Sequence, residues 1–455
     1  MNRLRIMLNA RKRFVLSAAL AAVFLPLAGG ANALANTVRC VPTTNPDPRC
    51  TGAPTYATIQ LAVTAAASQD VIVVGPGKYN ETVLIPISIP FLTIMGAQAG
   101  RDAREDRHGP ESVVDASGSP TGSGGGAAFR VDAYNVVIDG FTIEGGTNGT
   151  TAYASGVFVN GAEGTQILNN IIQDNAVGVL LYEAGLALVE YNLFKTNNKG
   201  AAGTSSGEFL GMAGFGIAAS AAYASAITEN EFKGNWAAAM FLDSANHTEV
   251  TRNTSKNDGS FAVFVAPQVS FFSHNQGQHF GAQGFKYLPL TTGPVHADAA
   301  IDVTGGTSLH INDNDLEEGK TPGYNGIAFS TIFSSAGQCL FCQVSNNRIK
   351  RFAGNGIVAE TPLPAEGTLL LSSISGNDVE DNGNDGILIE EGGGNQFNSL
   401  VDNEAEGNHT NDCEDDTYLL AGPGTAGTAN TWFNNFGSLS LPAGLCAPGR
   451  GHHHD

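Results

Sequence analysis

Ile167-Leu168-Asn169-Asn170-Ile171, Leu188-Val189-Glu190-Tyr191-Asn192-Leu193, Ile227-Thr228-Glu229-Asn230-Glu231-Phe232 and Val250-Thr251-Arg252-Asn253 repeat one pattern: an alternating apolar run, an Asn, then a short apolar run. The same Asn recurs as Asn275, Asn314, Asn347, Asn377 and Asn403, at intervals of 22, 38, 23, 22, 39, 33, 30 and 26 residues. The basic step is 22 to 23 residues, the longer steps carry insertions, and nine coils are expected. Upstream of the Asn, each step holds a strand led by Gly or a small residue, such as Gly156-Val157-Phe158-Val159, Gly178-Val179-Leu180-Leu181 and Gly216-Ile217-Ala218-Ala219. Strands of a few residues, rising about 3.3 Å per residue, let one step make a triangular turn with three strands. Stacked turns give parallel sheets, so the expected fold is an all-β, three-sheet parallel solenoid. The Asn itself tolerates a left-handed backbone at the bend, and stacked Asn side chains bond along the axis. No chemistry is assigned to it.

A solenoid exposes strand edges at its ends and needs caps. Thr58 to Ser68 places Ile59, Ala62, Val63 and Ala66 on one helical face, which suits a short N-terminal capping helix. The Cys413 to Cys446 segment, with Trp432, Phe433 and Phe436, is the expected C-terminal cap. Residues 97–126, with the charged run RDAREDRHGPE at 101–111, read as a mobile loop.

Residues 1–35 carry five basic and no acidic residues, an apolar run from Val15 to Leu27 and the small-residue site Ala33-Leu34-Ala35, the pattern of a secretory signal peptide. Of the 23 basic residues, 18 remain after it against 43 acidic ones, a formal charge of −25. Nucleic acid and anionic membranes are therefore excluded as expected partners. No later apolar run approaches the roughly 20 residues of a membrane helix, so an exported soluble chain is expected, secreted or periplasmic, with a monomer as the default. Six Cys permit 15 pairings; proximity favours Cys40 with Cys50, Cys339 with Cys342 and Cys413 with Cys446. The expected division is a signal peptide over 1–35, an N-terminal disulfide segment over 36–56, the β-helix over 57–436, and a tail over 437–455 that includes the cap disulfide.

The opening YATIQLAVTAAASQDVIVVGPGKYNETVLI, residues 56–85, resembles the start of pectin-lyase-like right-handed parallel β-helix proteins. The resemblance spans residues 56 to 436. It implies a right-handed helix and secreted or periplasmic work on polysaccharides by lyases, hydrolases, esterases or epimerases, in a family that also contains members without known catalysis. Lyases of this kind use acidic calcium ligands and an Arg or Lys base on one exposed sheet face.

Taking the Gly-led strand as that face, alternation gives two outward rows. The first runs Phe158, Leu180, Ala218, Phe241, Phe264, Asp302, Ala328, Val358, Leu388; the second runs Asn160, Tyr182, Ser220, Asp243, Ala266, Thr304, Ser330, Glu360, Glu390. Neither contains Lys or Arg, a departure from the lyase pattern. Glu360 and Glu390 end the strands Asn355-Gly-Ile-Val-Ala-Glu360 and Asp385-Gly-Ile-Leu-Ile-Glu390 on successive coils, about 4.8 Å apart. Such a pair suits retaining glycoside hydrolysis, or a calcium ion with help from Glu391 and Ser330, or a solvated acidic edge. No other cofactor is expected. Asp243 and Asp302 form a second, weaker catalytic candidate pair, two strand spacings apart. Phe158, Tyr182 and Phe241 are candidate sugar-stacking rings, and Lys286 and Tyr287, in an insertion with His279 and His296, are candidate substrate-binding residues. Lys195, Lys233, Lys256 and Lys350 each follow the repeat Asn by three residues; they read as a solvated edge or as a polyanion-binding ladder.

The leading functional expectation is a secreted protein binding a polysaccharide on its Gly-led face and cleaving it as a lyase or glycoside hydrolase. The rival is a non-catalytic surface or structural module, for adhesion or as a rigid spacer.

Overall fold

The computed structural model describes residues 36–448, apart from positions 43, 106, 119–125, 148–153, 198–213, 282–297, 331–336, 362–367, 393 and 421. Lys286, Tyr287 and His296 lie outside the described residues, as does the signal segment. Each coil gives one strand to each of three parallel sheets in turn, as in Ser155–Asn160, Gln166–Leu168 and Ile171–Gln173. These define sheets 1, 2 and 3, which hold 13, 14 and 12 strands among the described residues. The chain is a parallel β-helix.

Its core is a set of inward columns. Ile167, Val189, Ile227, Val250, Phe272 and Ile311 stack in register on sheet 2, all fully buried. On sheet 3 the rings of Phe194 and Phe232 stack at 4.8 Å. The Gly that leads a sheet 1 strand is a packing requirement: a Cβ on Gly178 would lie 2.4 Å from the Gly216 carbonyl oxygen and 2.8 Å from Phe194.

The tight bend between sheets 2 and 3 is held by the repeat Asn. From Asn170 through Asn192, Asn230, Asn253, Asn275, Asn314, Asn347, Asn377 and Asn403 to Asn435, each backbone N–H and side-chain amide donates to the side-chain carbonyl of the next, at 2.8 to 3.1 Å. The nine expected residues thus lie on one bend, and Asn435 is a tenth. The left-handed backbone, however, belongs to the residue before: Tyr191, Glu229, Arg252 and His274 have φ of 54 to 57°. The ladder Asn is selected for its buried amide.

At the N-terminal end the helix Ile59–Ala65 buries Ile59, Ala62 and Val63. Thr58 accepts the Leu61 N–H at 3.1 Å and the Glu81 carboxylate accepts the N–H groups of Ile59 and Gln60, both at 2.9 Å, satisfying orphan donors of the first turn. At the other end Trp432 closes the core and donates to Asp415 at 2.8 Å, whereas Phe433 points to solvent. The three disulfides join the expected pairs. The first coil begins earlier than expected, since Val38–Val41 pairs with Val71–Val74, and Ser440–Leu441 still pairs with Cys413–Asp415.

The described residues of 101–111 are anchored rather than free. Arg104 bonds Asp102 and Glu229 and covers the Tyr191 ring, and Arg107, nearly buried, donates to the Asn169 carbonyl at 2.7 Å. The charged run expected to be a mobile loop is ion-paired across the ladder bend through Arg104 and Arg107.

Asn253→Ala would remove the acceptor of the Asn230 backbone N–H and one bond each from the Asn230 side-chain amide and the Ile227 carbonyl. Unpaired buried groups cost about 1–3 kcal/mol each, so a loss of about 2–4 kcal/mol is expected. Exposed Thr254→Ala should change stability by less than about 0.5 kcal/mol, and guanidinium unfolding of the two variants checks the contrast.

Candidate active site

The outer face of sheet 1 divides into an apolar and an acidic half. In the first, Phe158 pairs with Leu180, Leu180 with Ala218, Ala218 with Phe241 and Phe241 with Val263. Phe158 and Phe241 are 1% and 4% exposed, so neither ring presents an open face to a sugar. Tyr182, in the second row, is half-buried. Phe264 points inward and packs on Phe272, so the outward residues of that coil are Val263 and Val265, one position earlier than the sequence reading placed them. The strand here, Ala262–Val265, has no leading Gly to count from.

The acidic half starts at Asp302, which pairs with Val263 and Ala328 and is fully buried. Ser330 donates to its Oδ1 at 2.6 Å, while Oδ2 has no partner among the described residues. Burial, reinforced by Asp298 and opposed by the Ser330 bond, pushes its carboxyl up to about 7. Asp243 is not brought to it: Asp243 aligns with Val265 and Thr304 in the other row.

That second row becomes a run of carboxylic acids. Ala359 pairs with Ile389 and Ile389 with Asp415, so Glu360, Glu390 and Asp416 follow one another on successive coils. Their register is set five residues upstream, where the N–H of Asn355 donates to Asn325, that of Asp385 to Asn355 and that of Asn411 to Asp385, at 2.8 to 3.0 Å. The same count from Asn411 reaches Asp416, a signal the sequence contains and the reading above did not use. Glu414 joins the cluster beside Asp385.

The carboxyls differ in environment. Burial first, then the charges of Asp302, Glu390 and Asp298, push Glu360 up to about 8. Glu390 accepts the Thr361 backbone N–H at 2.7 Å. Burial and the Asp385 neighbour raise Glu414 to about 7, against an Asn411 bond of 2.6 Å, and burial raises Asp416. Ser330 serves Asp302, and Glu391 is exposed. Among the described residues no group of three or more His, Cys, Asp or Glu converges to hold a metal ion. His279 belongs to the sheet 3 strand Gln276–Phe280 and faces Glu318, away from this site.

A family model described as right handed beta helix region matches residues 155–316. Among solved structures, a mutant DFA-IIIase from Arthrobacter chlorophenolicus A6 in complex with DFA-III is similar at 14% identity and a TM-score of 0.50, covering 81% of this chain and 95% of its own. Alginate lyase from Paenibacillus sp. str. FPU-7 is similar at 15% identity and 0.46, covering 76% and 94%. The catalytic unit of a GH87 alpha-1,3-glucanase from Streptomyces thermodiastaticus strain HF3-3 is similar at 11% and 0.49, covering 86% and 64%. No curated protein sequence matches. The parallel β-helix of this chain thus matches a right-handed β-helix region over residues 155–316.

The raised Glu360 carboxyl has a definite consequence for stability. Between about 4.5, its ordinary value, and about 8, the unfolded chain releases this proton and the folded one keeps it. Its contribution is therefore fully present below the ordinary value and lost as pH rises through the folded one. Glu360→Gln, which stays neutral, should match wild type near pH 5 and exceed it by several degrees of Tm near pH 9. Thermal scans across that range provide the check.

Proposed function

We propose that the protein is an exported, glycan-binding β-helix that cleaves glycosidic bonds on the outer face of sheet 1. The observation that carries this reading is the in-register pair Glu360 and Glu390, one carboxyl raised and the other held by a backbone N–H. Three disulfides and the signal-like residues 1–35 support a secreted or periplasmic location.

In this chemistry protonated Glu360 gives its proton to the glycosidic oxygen as the bond to the anomeric carbon breaks. Glu390 attacks that carbon and forms a glycosyl ester. Water then attacks the same carbon, its proton passes to Glu360, and Glu390 leaves as carboxylate. Backbones one strand spacing apart, about 4.8 Å, suit the carboxyl separation of about 5–5.5 Å used by retaining enzymes. Asp302 helps keep the proton on Glu360. Tyr182 and Asp243 lie along the same row, at positions for a glycan extending towards the N-terminal coils. Hydrolysis is favoured over lyase chemistry because, among the described residues, the one Lys or Arg on these rows is Arg130, paired with Asp132 over the Phe158 ring and many coils from Glu360; a lyase base would come from Lys286 or Tyr287.

The second reading is a non-catalytic module, favoured by the buried state of Phe158 and Phe241, which leaves half of the face without an open surface. A panel of neutral and uronate glycans, assayed for new reducing ends, separates the two. Glu360→Gln and Glu390→Gln should each lower the rate about 10²–10⁴-fold with the fold intact. Absence of any cleavage by wild type selects the module. A calcium ion held by Glu360 and Glu390 would show instead as a Tm lowered by chelation in wild type and unaffected in Glu360→Gln.

A further inference from the structure

Sheet 3 carries a second feature, independent of the carboxyl row. Gln173 pairs with Lys195, Lys195 with Lys233, Lys233 with Lys256 and Lys256 with Gln278, so three lysines stack on consecutive coils between two glutamines. Like charges directly opposite each other on neighbouring strands are destabilising. The flanking glutamines show that this position accepts an uncharged side chain, so the fold does not demand the lysines.

Elsewhere on this face the cations are neutralised internally, Lys78 in the neighbouring row and Lys350 in the same column. Lys78 bonds Asp115 at 2.6 Å and Glu144 at 3.2 Å, and Lys350 bonds Asp378 and Glu380. In the triplet only Lys233 has an acidic partner, Glu231 at 2.7 Å. Lys195 and Lys256 are exposed and form no ion pair among the described residues. A groove of about 490 Å³ runs beside Lys233, Lys256, Gln276 and Gln278 and ends at Asp315 and Glu317. Those two acids are already engaged by Arg348 and Arg351. A chain with 43 acidic residues against 23 basic ones therefore maintains a local excess of positive charge along a straight line.

We infer that the outer face of sheet 3 binds a linear acidic polysaccharide through Lys195, Lys233 and Lys256, one sugar carboxylate per coil. The ladder spans roughly 10 Å, two strand spacings, and one pyranose residue is close in length to one spacing, so three successive uronate units meet three ammonium groups. Gln276, Gln278 and Thr254, alongside, offer amides and a hydroxyl to sugar hydroxyls. A nucleic acid fits less well, because its long, dense charge would meet the negative field of the whole protein. This site would hold polymer on a face distinct from the carboxyl row and does not depend on cleavage there.

The test is equilibrium binding of oligogalacturonate to the disulfide-intact protein, with neutral dextran and dextran sulfate as parallel probes. Wild type should bind the uronate, more weakly as salt rises through the screening range, and should not bind neutral dextran. The triple variant Lys195→Gln, Lys233→Gln, Lys256→Gln should lose at least tenfold in affinity at unchanged Tm. Lys350→Gln, whose ammonium is already held by Asp378 and Glu380, should bind like wild type. Equal binding by the triple variant, or equal binding of neutral dextran, overturns the proposal. Tighter binding of dextran sulfate than of the uronate at matched charge would overturn the assignment to carboxylates.

Discussion

Ten buried asparagine amides, bonded head to tail through the bend between sheets 2 and 3, form the constraint on which the rest of the molecule depends. Each amide from Asn170 to Asn403 has its acceptor filled by the coil before and its donors used on the next coil and on a carbonyl of the previous one, as Asn253 does with Asn230, Asn275 and Ile227. A coil that slipped by one residue would orphan several buried polar groups together, and each is expensive. Within the coils that carry the ladder, length variation is therefore confined to the other two bends, whereas residues 96–111 lengthen this bend only before the ladder begins. Residues 198–213 and 282–297 fall between a sheet 3 strand and the following sheet 1 strand, and residues 331–336 and 362–367 follow sheet 1 strands. The sheet that flanks these insertions is also the one that carries the carboxyl row.

How far this was legible in the sequence follows from what each signal depends on. The ladder Asn, the inward apolar columns and the capping helix come from local periodicity, and they hold. The slip at Phe264 arose where no Gly marks the strand start, because alternation alone has no origin. The anchoring of residues 101–111 was invisible for a different reason: Arg104 meets Glu229 and Arg107 meets Asn169, contacts across long sequence separations that no local pattern announces. Glu360 and Glu390 could be placed on one row from the count after Asn355 and Asp385. Their unequal environments depend on Asp302 and Thr361 and needed coordinates.

The two polar faces use the same strand spacing for opposite ends. On sheet 3 the stacked lysines remain in water, where like charges one spacing apart are screened. On sheet 1 the stacked carboxyls are partly or wholly buried, and repulsion in a less polar setting is answered by protonation rather than by counterions. Raised carboxyls from Asp302 through Glu360 to Glu414 and Asp416 are the expected response of an acid row that cannot all ionise at once.

Burial of an acid does not by itself mark chemistry in this fold. Asp258 is fully buried and pushed up to about 7 by that burial, yet it has a structural task. It ends a second ladder, Asn175, Asn197, Asn235, Asp258, where its Oδ1 accepts both the N–H and the amide of Asn235 and its Oδ2 accepts from Ser255. The last member of such a stack needs only to accept, so a carboxylate can replace the amide; Asp412 closes the Asn382–Asn408 ladder in the same way. Asp302 belongs to no ladder. One of its oxygens is bonded to Ser330 and the other, buried, has no partner among the described residues, while its charge bears on Glu360. Where structural demand accounts for every lone pair, an acid needs no further explanation; at Asp302 it does not, and the residual points to the same place as the Glu360–Glu390 pair.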